Sequence, residues 1–388
     1  MAALAAATLL AAEPVWDRFR GPNGSGISEG APLPAQLSPS KNAIWKVETP
    51  PGYSSPVIGA EHVLLTAHEG GNLFTIAIDR KSGKIAWKQP APKAIAGKLR
   101  GPNSPVSPTP ATDGRNAYVF FGNFGLVSYD RSGKERWRHE LTEINNPYGV
   151  GASPILAGDT LVLLCDQDTD SYLLGLDKNT GKQKWKQSRQ GVTHGFSTPI
   201  VHKPKNEPAQ VLVSGSFRLT SYSAATGEPL WWVNGMAWQA KSCPTIAGDT
   251  LYVHSWMASL SELGQPEKLD PWEKLVAEFD KDKDGRIAPN EANNEQMKSL
   301  FFLFDLNKDK FVDQAEWDMQ RQRNEARNGL YAIRLDRAKG DVTPTHVRWR
   351  YDRGLGNLPS PLVYRDVVYV LKEGGILTAL DPKSGEVI

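Results

Sequence analysis

The chain has 388 residues, 45 of them basic and 43 acidic, for a formal net charge of +2, and 40% of its residues are hydrophobic. That length supports one large domain or two or three ordinary ones with ample core. The even balance of charge excludes a global field for nucleic acid or an anionic membrane, and no basic run with interleaved aromatics occurs.

Residues 1–12 set Leu4, Leu9 and Leu10 among alanines. They read as the apolar core and small-residue end of an export signal lacking its basic start, which points to a periplasmic or secreted protein. The run is too short to cross a bilayer, and no cysteine near its end offers lipid attachment. The glycine-rich Arg20-Gly21-Pro22-Asn23-Gly24 that follows reads as loop, and Ala43-Ile44-Trp45-Lys46-Val47 as a short strand.

Two markers then recur in constant order. One is a small residue before proline at a strand start: Ser55-Pro56, Ser107-Pro108, Ser153-Pro154, Thr198-Pro199, Cys243-Pro244 and Ser360-Pro361. The other is a strand, a tight turn and a second strand, with a capping residue, a glycine and a tryptophan at fixed offsets. It appears as Asp79, Gly83, Trp87; as Asp130, Gly133, Trp137; as Asp177, Gly181, Trp185; and as Ser223, Gly227, Trp231. A further copy begins with Asp381 and Gly385, and Trp45 occupies the tryptophan place with no first half before it.

The first five prolines lie 52, 46, 45 and 45 residues apart, the length of one four-stranded propeller blade. The repeats are rich in Val, Ile, Tyr and Trp and lack helical periodicity. The expectation is an all-β chain, a β-propeller of four-stranded blades. Six repeats are visible, as part of a seven- or eight-bladed ring, because residues 385–388 already begin another strand. Cys165 and Cys243 fall in different repeats without metal-ligand spacing and read as small core residues.

Between Pro244 and Pro361 the interval jumps to 117 residues. The excess is about 72 residues over one repeat. Residues 257–328 are therefore read as an α-helical insertion, with blades in 13–256 before it and in 329–388 after it. Within it, Asp280, Asp282, Asp284, the carbonyl of Arg286 and Glu291 fall at positions 1, 3, 5, 7 and 12 of an EF-hand loop, with Gly285 at the sharp turn. A hard cation takes such oxygen donors, so Ca2+ is the expected ion. A second loop repeats the pattern with Asp305, Asn307, Asp309, the carbonyl of Phe311 and Glu316, but Lys310 stands where glycine is expected and implies a strained positive φ. Ile287 and Val312 hold the positions that pair the two loops. Only 13 residues separate the loops, room for one shared helix.

The repeated cassette resembles the propeller family named for pyrroloquinoline quinone. Trp16-Asp17-Arg18-Phe19-Arg20-Gly21-Pro22-Asn23-Gly24 and the run from Ser107 to Gly114 are similar to its secreted bacterial branch, which includes the outer-membrane barrel-assembly lipoprotein. The resemblance implies that Trp87, Trp137, Trp185, Trp231 and Trp349 dock between blades, and that the chain is a non-catalytic protein-binding scaffold. The alternative it implies is a quinone-dependent dehydrogenase or other redox enzyme. Dehydrogenases of the family carry an adjacent cysteine pair, which this sequence lacks.

In a meander, connections between blades emerge on the same face as the insertion. The longest of them gather Arg100, Asn145, Tyr148, His194, Trp238, Lys241 and Asn357, the expected face for a protein partner.

Overall fold

In the computed structural model, residues 16–29, 33–94, 103–255, 269–292, 298 and 301–388 are described. The export-like segment 1–12, Arg100 and the opening of the insertion lie outside these residues.

The described residues form six antiparallel meanders. The first is β1 (Val57–Ile58), β2 (His62–Glu69), β3 (Asn72–Asp79) and β4 (Ile85–Pro90). The second is β5 (Ala111–Thr112), β6 (Ala117–Phe121), β7 (Gly125–Tyr129) and β8 (Glu135–Glu140), and the third β9 (Ile155–Ala157), β10 (Thr160–Cys165), β11 (Tyr172–Asp177) and β12 (Gln183–Ser188). The fourth runs through β13 (Ile200–His202), β14 (Gln210–Ser214), β15 (Arg218–Ser223) and β16 (Pro229–Asn234). In the fifth, β17 (Thr245–Ala247) and β18 (Thr250–Ser255) precede the insertion, with α1 (Trp272–Phe279) and α2 (Gln314–Glu325), and β19 (Gly329–Arg334) follows it. Then β20 (Gly340–Asp341) joins β16 of the previous blade in parallel, α3 (Thr343–His346) intervenes, and β21 (Val347–Tyr351) completes the fifth sheet. The sixth has β22 (Leu362–Tyr364), β23 (Val367–Lys372) and β24 (Ile376–Leu380), with Leu380 bridged to Val387. This is the β-propeller that the repeat predicts.

Blades pack face to face, so their middle strands are covered on both sides. Hence β6, β7 and β10 are buried at every residue, while the outer β12 buries Trp185 and exposes its neighbours. The cassette explains how blades hold each other. The Trp45, Trp87, Trp137, Trp185 and Trp349 rings each lie over the glycine of the next turn, at Gly83, Gly133, Gly181, Gly227 and Gly385. Each indole N–H donates to the carbonyl just after the capping residue, at 2.9–3.3 Å. Asp79 caps its turn by accepting from Ser82 N at 2.7 Å, and Asp130 and Asp177 do the same. Trp231 departs from the rule. It packs against the fifth blade, but its indole donates to Gln210 Oε1 in its own blade, and β20 lies beside it.

The first strands line the inner side of the ring and are tied by side chains. Thr109 Oγ1 accepts from Ser55 N, Ser153 Oγ from Thr109 N, Thr198 Oγ1 from Ser153 N, and Ser360 Oγ from Cys243 N, at 2.9–3.1 Å. This chain of bonds corrects one marker. Thr109-Pro110, not Ser107-Pro108, opens the second blade, because Thr109 carries the hydroxyl in the position that Ser153 and Thr198 take elsewhere.

Arg20 to Gly24, read as a loop, crosses these inner strands. Trp16 pairs with Ile58, Asp17 O accepts from Thr112 N, Asn23 exchanges two bonds with Val201 at 2.7 and 2.8 Å, and Arg20 donates to Pro361 O at 3.0 Å. The axial side of the ring is therefore lined by the chain's own Arg18, Arg20 and Asn23.

Candidate metal centre and loop face

The insertion folds around its own small core. Trp272 and Leu275 of α1 meet Ile287, Phe301, Phe304, Val312 and Trp317, and the Phe304 and Trp317 rings stack with centroids 5.8 Å apart. Two acidic loops are held side by side by Ile287 and Val312. Each donates its N–H to the other's carbonyl, at 3.0 and 2.9 Å, and both side chains are fully buried. The 3₁₀ turn Phe301–Leu303 ends the connection between the loops; most of the rest of it, where a shared helix was expected, lies outside the described residues.

In the first loop, one ligand oxygen from each of Asp280, Asp282 and Asp284 lies within 4.8 Å of the others. The backbone wraps around them, since Lys283, Asp284 and Gly285 all donate to Asp280, at 2.7–3.2 Å. Gly285 has φ +79°. Glu291 is buried and accepts one N–H on each oxygen, from Lys281 and Ala288 at 2.8 Å. A carboxylate oxygen has two lone pairs, so each keeps one free.

The second loop has the same build. Asn307 Oδ1 accepts from Asp309 N and Asp309 Oδ1 from Phe311 N, at 2.8 and 2.9 Å. Lys310 takes φ +73°, the strained value that its sequence position implies. Glu316 closes a capping box with Asp313 at the start of α2 and accepts from Leu306 N at 2.8 Å. Burial pushes its carboxyl up to about 7. Asp305 Oδ1 is buried with no hydrogen-bond partner. Arg286 and Phe311 stack their side chains, the guanidinium 3.7 Å from the ring centroid, which locks the loops at position 7.

The insertion docks on the loops between blades. Asn145 Nδ2 donates to Leu306 O of the second acidic loop at 3.3 Å, and Arg323 of α2 lies over the Trp238 ring at 4.3 Å. The structure brings Tyr148, His194 and Trp238 together: the His194 ring lies 5.6 Å from that of Tyr148 and 5.5 Å from that of Trp238. Lys241 donates to Asn357 Oδ1 beside them.

Exposure divides this set. Tyr148, Lys241 and Asn357 are half-buried, but His194 and Trp238, expected on an exposed face, are only 2% and 1% exposed and lie beneath the loop surface. His194 is held at both nitrogens, by Asp168 at Nδ1 and Gln239 at Nε2. Below it, Asp166 and Arg189 form a buried pair with bonds of 2.6 and 3.0 Å. The sequence reading missed Asp166, Asp168, Arg189 and Arg323. Only the meander order, which sets residues 166–168 and 189–194 on one face, signals the first three.

Residues 35–264, over half the chain, match the family model described as outer membrane protein assembly factor BamB. The chain belongs to this family. Solved structures similar to this BamB-family chain include BamB from Moraxella catarrhalis, at 16% identity over 83% of this chain and 73% of that one, with a TM-score of 0.47. The quinohemoprotein alcohol dehydrogenase ADHIIG from Pseudomonas putida HK5 is 12% identical over 96% and 72%, with a TM-score of 0.48. A europium-containing methanol dehydrogenase is 10% identical over 86% and 76%, with a TM-score of 0.40. No curated protein matches. Among the described residues of this BamB-family propeller, no helix is long and apolar enough to cross a membrane.

Proposed function

We propose that this BamB-family propeller is an exported, non-catalytic scaffold that binds a protein partner on its loop face, with an EF-hand pair in residues 257–328 that holds Ca2+ and stiffens that face. Asp280, Asp282, Asp284, Glu291 and the Arg286 carbonyl would hold the first ion; Asp305, Asn307, Asp309, Glu316 and the Phe311 carbonyl would hold the second. A bound divalent ion supplies charge neutralisation and a fixed loop shape, and no chemical step.

The observation that carries the reading is the coincidence of three clustered carboxylates with the docking of the same insertion onto the interblade loops. The fit to a cation is supported by the orphaned Asp305 Oδ1 and by the upward shift of Glu316, both of which a divalent charge would relieve. The family's description as an assembly factor of the outer membrane supports a protein partner of the cell envelope and an exported location. The propeller blades of 13–256 and 329–388 then form one platform around the insertion.

The scaffold reading is favoured over a redox one by the axis of the ring, where Arg18, Arg20 and Asn23 sit against the inner strands. Adding pyrroloquinoline quinone and calcium to the purified protein tests this by absorption spectroscopy. The expected result is a spectrum equal to the sum of its parts; a stoichiometric, protein-bound quinone would replace the scaffold with the dehydrogenase.

A further inference from the structure

Helix α2 closes over the loop face with a charge that no hydrogen-bond acceptor meets. Arg323 is 5% exposed, and its Nε, Nη1 and Nη2 are all buried without an acceptor. Its contact with the Trp238 ring offsets part of the desolvation but occupies none of the N–H groups. The Trp238 indole N–H is also buried without an acceptor. Burial, and after it the repulsion of the Arg323 charge, brings the Lys241 ammonium down to about 8, although the Glu373 carboxylate draws it the other way. Its hydrogen bond to Asn357 leaves further N–H groups free. Glu325, two residues beyond Arg323, faces an adjoining cleft of about 430 Å3 instead of pairing with it.

Arg323, Trp238 and Lys241 thus form a cluster of donors with two positive charges. We propose that this cluster binds an oxyanion between α2 and the loop face, with the Arg323 fork as its main ligand and Lys241 as the second cation. Carboxylate and phosphate share the planar or tetrahedral oxygens that such a fork recognises. The adjoining cleft lies on the flank of α2, where Gln322 and Glu325 of the helix and Ala326 just past its end line it opposite Phe217, Gly235 and Met236. The site uses none of the metal-loop oxygens, so it goes beyond the calcium reading.

Thermal unfolding and calorimetry of the full chain with calcium present, at constant ionic strength set by chloride, test the site with succinate and with methyl phosphate. The expected result is a saturable rise in melting temperature with at least one of them, absent in Arg323→Met and weakened about tenfold in Lys241→Met. Saturation by succinate alone identifies a carboxylate, and by methyl phosphate alone a phosphoryl group. Circular dichroism checks that both variants fold; should Arg323→Met fail that check, Lys241→Met decides. No saturation by either anion, or an equal response in the variants, would overturn the proposal and leave water as the partner of Arg323.

Discussion

At the residue scale the tryptophan-on-glycine contact sets what the repeat tolerates. A Cβ on Gly181 would lie 2.6 Å from the Trp137 ring, and its φ of +70° is costly for any side chain. Gly181→Ala should therefore cost about 2–4 kcal/mol in urea unfolding, from ring displacement and backbone strain together. Gly158→Ala has a similar φ of +65° but open space around it, and should cost only the strain, about 1–2 kcal/mol. His254 gives a pH signature. It is buried, donates Nδ1–H to Pro359 O, and burial brings it down to about 4 although Glu373 faces it. The folded state then binds fewer protons than the unfolded one, whose histidine titrates near 6.5. Stability from this group is full above that value and falls by up to about 3 kcal/mol as the pH drops towards 4. Urea unfolding at pH 7 and pH 5 should show a smaller acid loss in His254→Gln than in the wild type; equal losses would remove His254 as a cause.

At the element scale the cassettes were legible because each packs one residue type on another at a fixed offset, and a ring over a glycine leaves that pattern in the sequence. The second blade was misplaced by two residues because Ser107-Pro108 and Thr109-Pro110 are the same motif twice. Only the hydroxyl chain through Thr109 and Ser153 separates them. The acidic loops were legible position by position, down to the positive φ at Lys310. Removing that strain makes a prediction. If the loop holds calcium, Lys310→Gly should raise the affinity of the second site by about 1 kcal/mol, or roughly fivefold, with the first unchanged. Two-site calorimetry measures it, and an unaltered second site would show that backbone strain does not limit binding there.

For the whole molecule, what the sequence hid is contact between distant segments. Arg20 to Gly24 reads as a loop because its partners, Val201 and Pro361, lie far along the chain. Trp238 and His194 read as surface because polar loops carry them, yet those loops fold over one another and bury both. Arg323 sits in a helix so polar that solvation is its natural reading, until the insertion is seen against the propeller. Whether this insertion is a calcium-dependent part of the loop face is decided by calorimetric titration of calcium into the wild type and into Asp280→Ala. Two sites are expected in the wild type, with dissociation constants on the order of 10⁻⁴ to 10⁻³ M, and loss of the tighter one in the variant. The same binding heat in both proteins, or none in either, would contradict it.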